Sequence, residues 1–124
     1  MKLDPDLIKK ILTALEETET DDPRAYLANI NKIEGYHEES LIYHIRQLID
    51  ADFIDGRMID SIGGNTSVLI SRLSWKGHEF VENSRSDTLW SKAKTTVVSK
   101  AGGISIDLLS EVLRKLVSGA VFGT

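Results

Sequence analysis

A helical repeat that runs directly into a hairpin pattern is the feature that most constrains the fold of this chain. The segment "HEESLIYHIRQLIDADFI" has apolar residues at helical spacing, with a stripe formed by Leu41, Ile45, Leu48 and Ile49. In "DFIDGRMIDSIGGNTSVLISRLS" two strand-like runs flank the turn signal Gly63-Gly64-Asn65. The sequence therefore predicts a helix followed at once by a two-stranded hairpin, as in an α+β domain.

The first helix is predicted from its cap and its apolar stripe. Asp4 can cap it and Pro5 suits its first position; the stripe that follows is Leu7, Ile8, Ile11, Leu12 and Leu15.

Residues 24–36 are ambiguous. Asp22-Pro23 could start a short helix with one face formed by Tyr26, Leu27 and Ile30, but "LANINKI" could equally be a strand. The prediction favours a strand over residues 27–33.

Three further helices are predicted after the hairpin. Ser74 can cap one over about residues 75–83, a second should span about 87–98, and Ser105 can cap the last over 106–118. Gly102-Gly103 is the strongest helix stop in this half. The predicted organisation is a winged-helix-like domain over residues 1–85, with a helical core and a two- or three-stranded wing. A C-terminal helical extension over 86–124 would pack on it or form a dimer contact.

The segments "IEGYHEESLIYHIRQLIDADFIDG" and "RLSWKGHEFVENSRSDTLW" resemble the DUF2513 family, uncharacterised proteins of bacteria and their prophages. More generally, "HIRQLIDADFI" and "LSWKG" resemble the end of the recognition helix and of the wing in winged-helix regulators. Asp52 stands where those proteins usually have glycine, so it would have to end the helix. The resemblance implies a fold and a mobile-element setting, and it implies no activity.

Composition limits the classes of partner. The 124 residues carry a net charge of -4 and no cysteine. Residues 1–60 hold 7 Lys/Arg against 14 Asp/Glu, and residues 61–124 hold 8 against 5, so the halves differ in sign. An acidic first half disfavours broad nucleic-acid binding there, and the halves could attract each other within or between chains. With no signal core or long apolar run, we expect a cytoplasmic protein without membrane contact.

The stretch "RLSWKGHEF" raises the question of a metal or catalytic site. Its simplest interpretation is a strand end, a Ser74 cap and a helix start, with Gly77 allowing close packing and Trp75 lying over the joint. His37 and His44 are seven residues apart, too far to hold one ion without a further ligand, and His78 lacks a second histidine nearby. Phosphate-loop, dinucleotide and nucleophile-elbow motifs are absent. The sequence predicts no enzyme, metal or cofactor.

The first functional hypothesis is binding of double-stranded DNA, ranked first by analogy with the fold. A winged helix would lay residues 38–50 in the major groove. The helix candidates are Ser40, Tyr43, His44, Arg46 and Gln47. The wing candidates are Arg57, Asn65, Thr66, Arg72 and Lys76. Glu38, Glu39 and Asp50 on the same helix oppose this hypothesis, because an acidic surface repels a polyanion.

The alternative is a protein-interaction or dimerisation module that does not bind DNA. The last helix has more apolar surface than a small monomer usually needs, and its candidate homodimer contacts are Leu109, Val112, Leu113, Leu116, Val117 and Ala120. These residues could instead pack on their own domain. DNA binding predicts a positive patch around Arg46, Arg57, Arg72 and Lys76, whereas a protein-binding module predicts a neutral or acidic helix over residues 38–50.

Overall fold

The computed structural model describes residues 2–20, 22–101 and 104–122, without the side chains of residues 99–101 and 122. Within these ranges the chain is α+β, with six helices and one two-stranded antiparallel sheet. In chain order the elements are α1 (Pro5–Glu16), α2 (Pro23–Asn31), α3 (Glu38–Asp50), β1 (Ile54–Asp60), β2 (Thr66–Leu73), α4 (Trp75–Asn83), α5 (Asp87–Ala101) and α6 (Ile106–Phe122). The predicted glycine stop at residues 102–103 lies outside the described residues.

Helix α1 forms as predicted and lies at the centre of the fold. Asp4 accepts hydrogen bonds from the backbone N–H groups of Asp6 and Leu7 at 2.9 and 3.3 Å, and Pro5 occupies the first turn. All five residues of the predicted stripe are buried. This face contacts α2, α3, α4 and β2, so α1 holds the helices and the hairpin around one core.

The strand expected over residues 27–33 is wrong, and the helical alternative is correct. Asp22 caps α2 by accepting a hydrogen bond from the Arg24 backbone N–H at 3.0 Å, and Pro23 occupies the first turn. Tyr26 and Ile30 are buried four residues apart, which places both on one face of the helix. Three helices therefore precede the hairpin.

The hairpin forms as predicted, except for a bulge near its base. Ile54 pairs with Leu73 and Asp55 with Arg72, but Gly56 pairs with Ile70, so Ser71 is an extra residue in β2. Strict alternation would have put Leu73 on the face of Leu69. The bulge instead buries Leu73 together with Ile70 and leaves Leu69 exposed.

Helices α5 and α6 share the core of the preceding elements. The Phe53 and Phe80 rings meet edge to face with centroids 5.9 Å apart, and Phe80 meets Trp90 in the same way at 5.8 Å. This run of rings joins the base of the hairpin, α4 and α5. From α6, Leu109 and Leu113 are fully buried in the same cluster. The extension therefore packs on the first part of the chain, and the boundary at residues 85–86 stays a prediction.

Two details of "RLSWKGHEF" follow from the first turn of α4. Ser74 caps the helix, accepting a hydrogen bond from the Gly77 N–H at 3.1 Å. A Cβ atom on Gly77 would lie 2.3 Å from the Phe53 carbonyl oxygen, so the predicted close packing is confirmed. The expected position of Trp75 over the joint is wrong, because the side chain is 80% exposed.

Candidate interface of helix α3 and the hairpin

Helix α3 is fixed by its buried face and by the way it ends. Leu41, Ile45 and Leu48 enter the core. Asp52 then adopts the left-handed conformation, with φ 67°. The Phe53 N–H donates to the Leu48 carbonyl at 2.9 Å and the Asp52 N–H to the Ile49 carbonyl at 3.0 Å. This pair of bonds is a Schellman motif, and it turns the chain directly into β1.

The structure corrects the position of His44, which was expected on the exposed row of α3. Its side chain is only 1% exposed. The ring Nε2 accepts a hydrogen bond from the Asp4 N–H at 2.8 Å, and Nδ1 lies 2.7 Å from the Ser40 carbonyl oxygen. Because a carbonyl only accepts, the proton belongs on Nδ1. His44 therefore joins α3 to the cap of α1 and is not available to an external partner.

The remaining candidates of α3 lie beside the tip of the hairpin. Tyr43 and Arg46 line a groove together with Asn65 and Thr66, so the structure brings these four together. Glu38 and Glu39 line the same groove. Ser40 and Gln47 are half-buried on α3 outside this groove lining. The groove therefore combines hydrogen-bonding groups with two carboxylates at its helical end.

The cations of this face are held by carboxylates. Arg46 pairs with Asp60 at 3.3 Å, and the Thr66 hydroxyl donates to the same carboxylate at 3.0 Å. Near the base of the hairpin, Arg72 pairs with Asp55 at 2.8 Å. The Asp55 carboxylate raises the pKa of the Arg72 guanidinium by hydrogen bonding and by its charge. These contacts offset much of the positive charge that the DNA hypothesis requires.

Lys76 and Arg57 complete the set of candidate cations. The Lys76 ammonium lies 3.3 Å from the Asp107 carboxylate, 3.1 Å from the Ala51 carbonyl oxygen and 4.6 Å from the centre of the Phe53 ring. Arg57 is exposed on β1, and within the described ranges it forms no ion pair. Arg57 is thus the one candidate cation whose charge is not offset by a described carboxylate.

The histidines do not converge on a common point. His44 is buried, whereas His37 and His78 are exposed at the starts of α3 and α4. Among the described residues, no group of three or more His, Cys, Asp or Glu side chains is placed to hold a metal ion. In the same ranges, no helix is both long enough and apolar enough to cross a membrane.

The candidate dimer contacts on α6 divide into two groups. Leu109 and Leu113 are buried in their own chain, so their assignment to an external contact is wrong. Val112, Leu116 and Val117 are half-buried, and Ala120 is exposed. Among the described residues of α6, apolar surface is therefore offered by the last turns, where Ala120 and Val121 are exposed, and by Leu108 near the start of the helix.

Sequence reasoning missed a cleft of about 860 Å³ on the outward side of α1. Its lining includes Lys9 and Lys10 of α1 together with Lys32, Tyr36 and Trp90. The signal in the sequence is weak, because two adjacent lysines on the polar side of an amphipathic helix are typical of a solvated face. The aromatic residues that complete the cleft come from distant parts of the chain.

Comparison with known proteins defines the relatives of this α+β chain. Residues 2–104 match the model of a family described as "Hypothetical protein (DUF2513)". A protein of Haemophilus influenzae described only as uncharacterized is 35% identical over 119 residues, which cover 95% of this chain and 97% of that protein. The chain belongs to the DUF2513 family, as its sequence predicted. No solved structure matches it.

Proposed function

We propose that this protein is a non-enzymatic protein-interaction module built on a winged-helix-like scaffold. The order α1, α2, α3, β1, β2 supports the scaffold, because a winged helix places a hairpin directly after three core helices. The helix α2, which replaces the strand expected over residues 27–33, supplies the second of these three helices. In this architecture α3 is the recognition helix and the hairpin is the wing.

The charge of the α3–hairpin face carries the proposal. Of the arginines of this face, Arg46 and Arg72 are each paired with a carboxylate of the hairpin, and Arg57 alone forms no described ion pair. Glu38 and Glu39 add negative charge at the groove. Double-stranded DNA binds through phosphate neutralisation by Lys and Arg, which this face offers only weakly. A protein partner has no such requirement, and it can use the mixed hydrogen-bonding surface of the groove.

DNA binding is the second candidate, favoured by one observation. The groove joins α3 to the hairpin tip, with Tyr43 on one side and Asn65 on the other, and the exposed Arg57 follows on β1. This is where a winged helix would contact both base edges and the DNA backbone. A DNA complex would require Asp55 and Asp60 to give up their arginine partners to phosphates.

The deciding experiment is a titration of the full chain with fluorescent random duplex DNA at increasing salt. The wild type should show no salt-dependent binding. The variant D55N/D60N should gain binding at low salt, because both substitutions free an arginine without removing it. Salt-dependent binding by the wild type, weakened by Arg57→Gln, would instead establish the DNA candidate.

A control with the same change in net charge separates local pairing from overall charge. The variant E19Q/E34Q removes two exposed carboxylates that form no ion pair with another described residue. It should bind DNA no better than the wild type. An equal gain by this control would mean that net charge, and not the pairing of Arg46 and Arg72, determines DNA affinity.

A further inference from the structure

The cleft on α1 differs in its chemistry from the α3–hairpin face. Lys9 and Lys10 lie on the side of α1 opposite its buried stripe, and the cleft opens above them. Its walls come from α2 with Lys32, from the following loop with Tyr36, and from α5 with Trp90. Four elements or loops thus converge on a single concave surface, which is the usual form of a binding site.

Two of the three lysines of the cleft, Lys9 and Lys10, lie over aromatic rings. The Lys9 ammonium lies 5.3 Å from the centre of the Trp90 ring, and the Lys10 ammonium lies 5.3 Å from that of Tyr36. Within the described ranges, neither ammonium lies within 4.0 Å of a carboxylate. A ring restrains the position of an ammonium but does not cancel its charge. Lys10 also interacts through its charge with the Asp6 carboxylate, but neither lysine is held in a direct ion pair with a described carboxylate, so both can attract an external anion.

The one acidic group at the Trp90 wall is already occupied. The Asp6 carboxylate pairs with Lys94 at 2.9 Å and accepts a hydrogen bond from the Trp90 Nε1–H at 3.0 Å. Lys94 also lies 5.5 Å from the centre of the Trp90 ring. With Asp6 offset by Lys94, the positive charge of Lys9, Lys10 and Lys32 exceeds the negative charge of Glu17, the other carboxylate of the cleft lining.

We propose that this cleft binds an acidic peptide segment of a partner protein. The lysines of the cleft come from the half of the chain in which 14 Asp/Glu outnumber 7 Lys/Arg, so an acidic segment would be attracted here and repelled by the other charges of that half. Ile33 and Ala14 in the lining offer contact to an apolar side chain between the acidic ones. The inference goes beyond the function proposed above, because it concerns another face and holds whatever partner the α3–hairpin face has.

The rings favour a peptide over a nucleic acid. Proteins that bind single strands stack bases on exposed aromatic faces. Here Trp90 is only 5% exposed, and lysines lie over both rings, so neither is a free stacking platform. Glu17 in the cleft would repel a continuous row of phosphates more than it would a peptide with spaced carboxylates.

The test uses the full chain and a short fluorescein-labelled oligo-glutamate peptide at low salt. The wild type should bind this probe, and K9Q/K10Q should bind it about tenfold more weakly or worse. The matched control K2Q/K92Q makes the same charge change at exposed lysines outside the cleft lining, and it should keep wild-type affinity. Absence of binding by the wild type, or equal loss in both variants, would overturn the proposal.

Two further readouts locate the site and distinguish the class of ligand. In a Trp75→Phe background, Trp90 is the single tryptophan, so binding in the cleft should change its fluorescence. Unchanged emission at saturating peptide would contradict the location.

Unlabelled single-stranded DNA should compete less well than unlabelled oligo-glutamate. Stronger competition by DNA, lost in K9Q/K10Q, would identify a nucleic-acid site and overturn the peptide assignment.

Discussion

Gly77 is the residue at which α4 lies against the base of the hairpin. An added Cβ would approach the Phe53 carbonyl oxygen to 2.3 Å and the Leu73 Cδ1 atom to 2.4 Å. Replacing a helical glycine with alanine usually stabilises a helix by about 1 kcal/mol. Here we expect Gly77→Ala to lower the free energy of unfolding by about 2–3 kcal/mol, because the overpacked atom meets backbone. Urea denaturation measures the change.

The control for this substitution is Gly63→Ala at the hairpin tip. No atom lies within 4 Å of a Cβ at that position. The free energy of unfolding should therefore change by less than about 0.5 kcal/mol, as at most surface sites. A stabilised Gly77→Ala variant would contradict the close packing of α4 on Phe53.

Asp6 should make stability depend on pH in the acidic range. The hydrogen bond from Lys94 holds the pKa of the Asp6 carboxyl below its usual value, although partial burial opposes this shift. A lowered folded-state pKa stabilises the protein above the unfolded pKa of about 3.9, and this contribution is lost as pH falls through the folded value. At pH 7, Asp6→Asn should lower the free energy of unfolding by about 0.5–1 kcal/mol, reduced by solvent screening.

Denaturation of Asp6→Asn and wild type at several pH values measures this difference. It should shrink toward zero as pH falls below the unfolded pKa of about 3.9 and through the lower folded-state pKa, because the Asp6 carboxyl then becomes neutral like the asparagine. The same substitution in a Lys94→Gln background should cost less, because the main cause of the shift is then absent. A difference that stays constant from pH 7 to pH 2.5 would contradict the linkage.

At the scale of elements, the connection between α3 and β1 is expected to be sensitive to substitution. Asp52 adopts φ 67° between the helix and β1, a conformation that is easiest for glycine. We expect Asp52→Gly to raise the free energy of unfolding by about 0.5–1 kcal/mol, since it relieves this strain and keeps both Schellman hydrogen bonds. Asp52→Val should destabilise the protein, because a β-branched side chain strongly disfavours this conformation. Thermal and urea denaturation of both variants would test the assignment, and equal stability would refute it.

Local signals were sufficient for most elements. Helix α1, helix α4 and the hairpin were predicted because each has a capping or turn residue next to a clear periodic pattern. Helix α2 was missed because nine residues bury only Tyr26 and Ile30, which is too few to distinguish a helix from a strand. The bulge at Ser71 was not predictable, since it reflects how the hairpin packs on the core and not a local residue preference.

The candidate sites depended on contacts that local patterns do not contain. Arg72 was read as an available cation, but the register of the hairpin places Asp55 opposite it. His44 was expected on the exposed row of α3, but the fold buries it against Asp4, whose N–H it binds from 40 residues away in sequence. Lys9 and Lys10 become candidate binding residues only because the fold places the Trp90 and Tyr36 rings against them.

At the scale of the whole molecule, ion pairs within one chain partly neutralise the opposite net charges of its two halves. Lys94 pairs with Asp6, and Arg85 bridges Glu16 of α1 and Glu82 of α4. The Lys94–Asp6 and Arg85–Glu16 pairs join the acidic first half to the more basic second half, whereas the Arg85–Glu82 pair lies within the second half. These exposed pairs add little stability individually, although Lys94 links α5 to the Asp6 carboxylate of α1. Electrostatic attraction between copies of the chain is correspondingly weaker than the sequence suggested.

Self-association is therefore expected to depend on the end of α6. Leu116 and Val117 remain half-buried where the core ends, Ala120 is exposed, and Val121 is 70% exposed. Four side chains, two of them half-buried, make a small contact, and small interfaces are usually weak. We expect the wild type to form a weak homodimer, so that its measured mass rises with protein concentration. The variant Ala120→Glu should stay monomeric at all concentrations, because it puts a charge at the contact without touching the core.

Size-exclusion chromatography with light scattering over a range of concentrations tests this expectation. Deleting α6 is not a suitable variant, because it would expose the core around Leu109 and Leu113. The matched control is Ser91→Glu, which adds the same charge at an exposed position on α5. It should dimerise like the wild type. A wild type that stays monomeric at high concentration would contradict the expected dimer contact. The partner of the proposed module would then be a different protein.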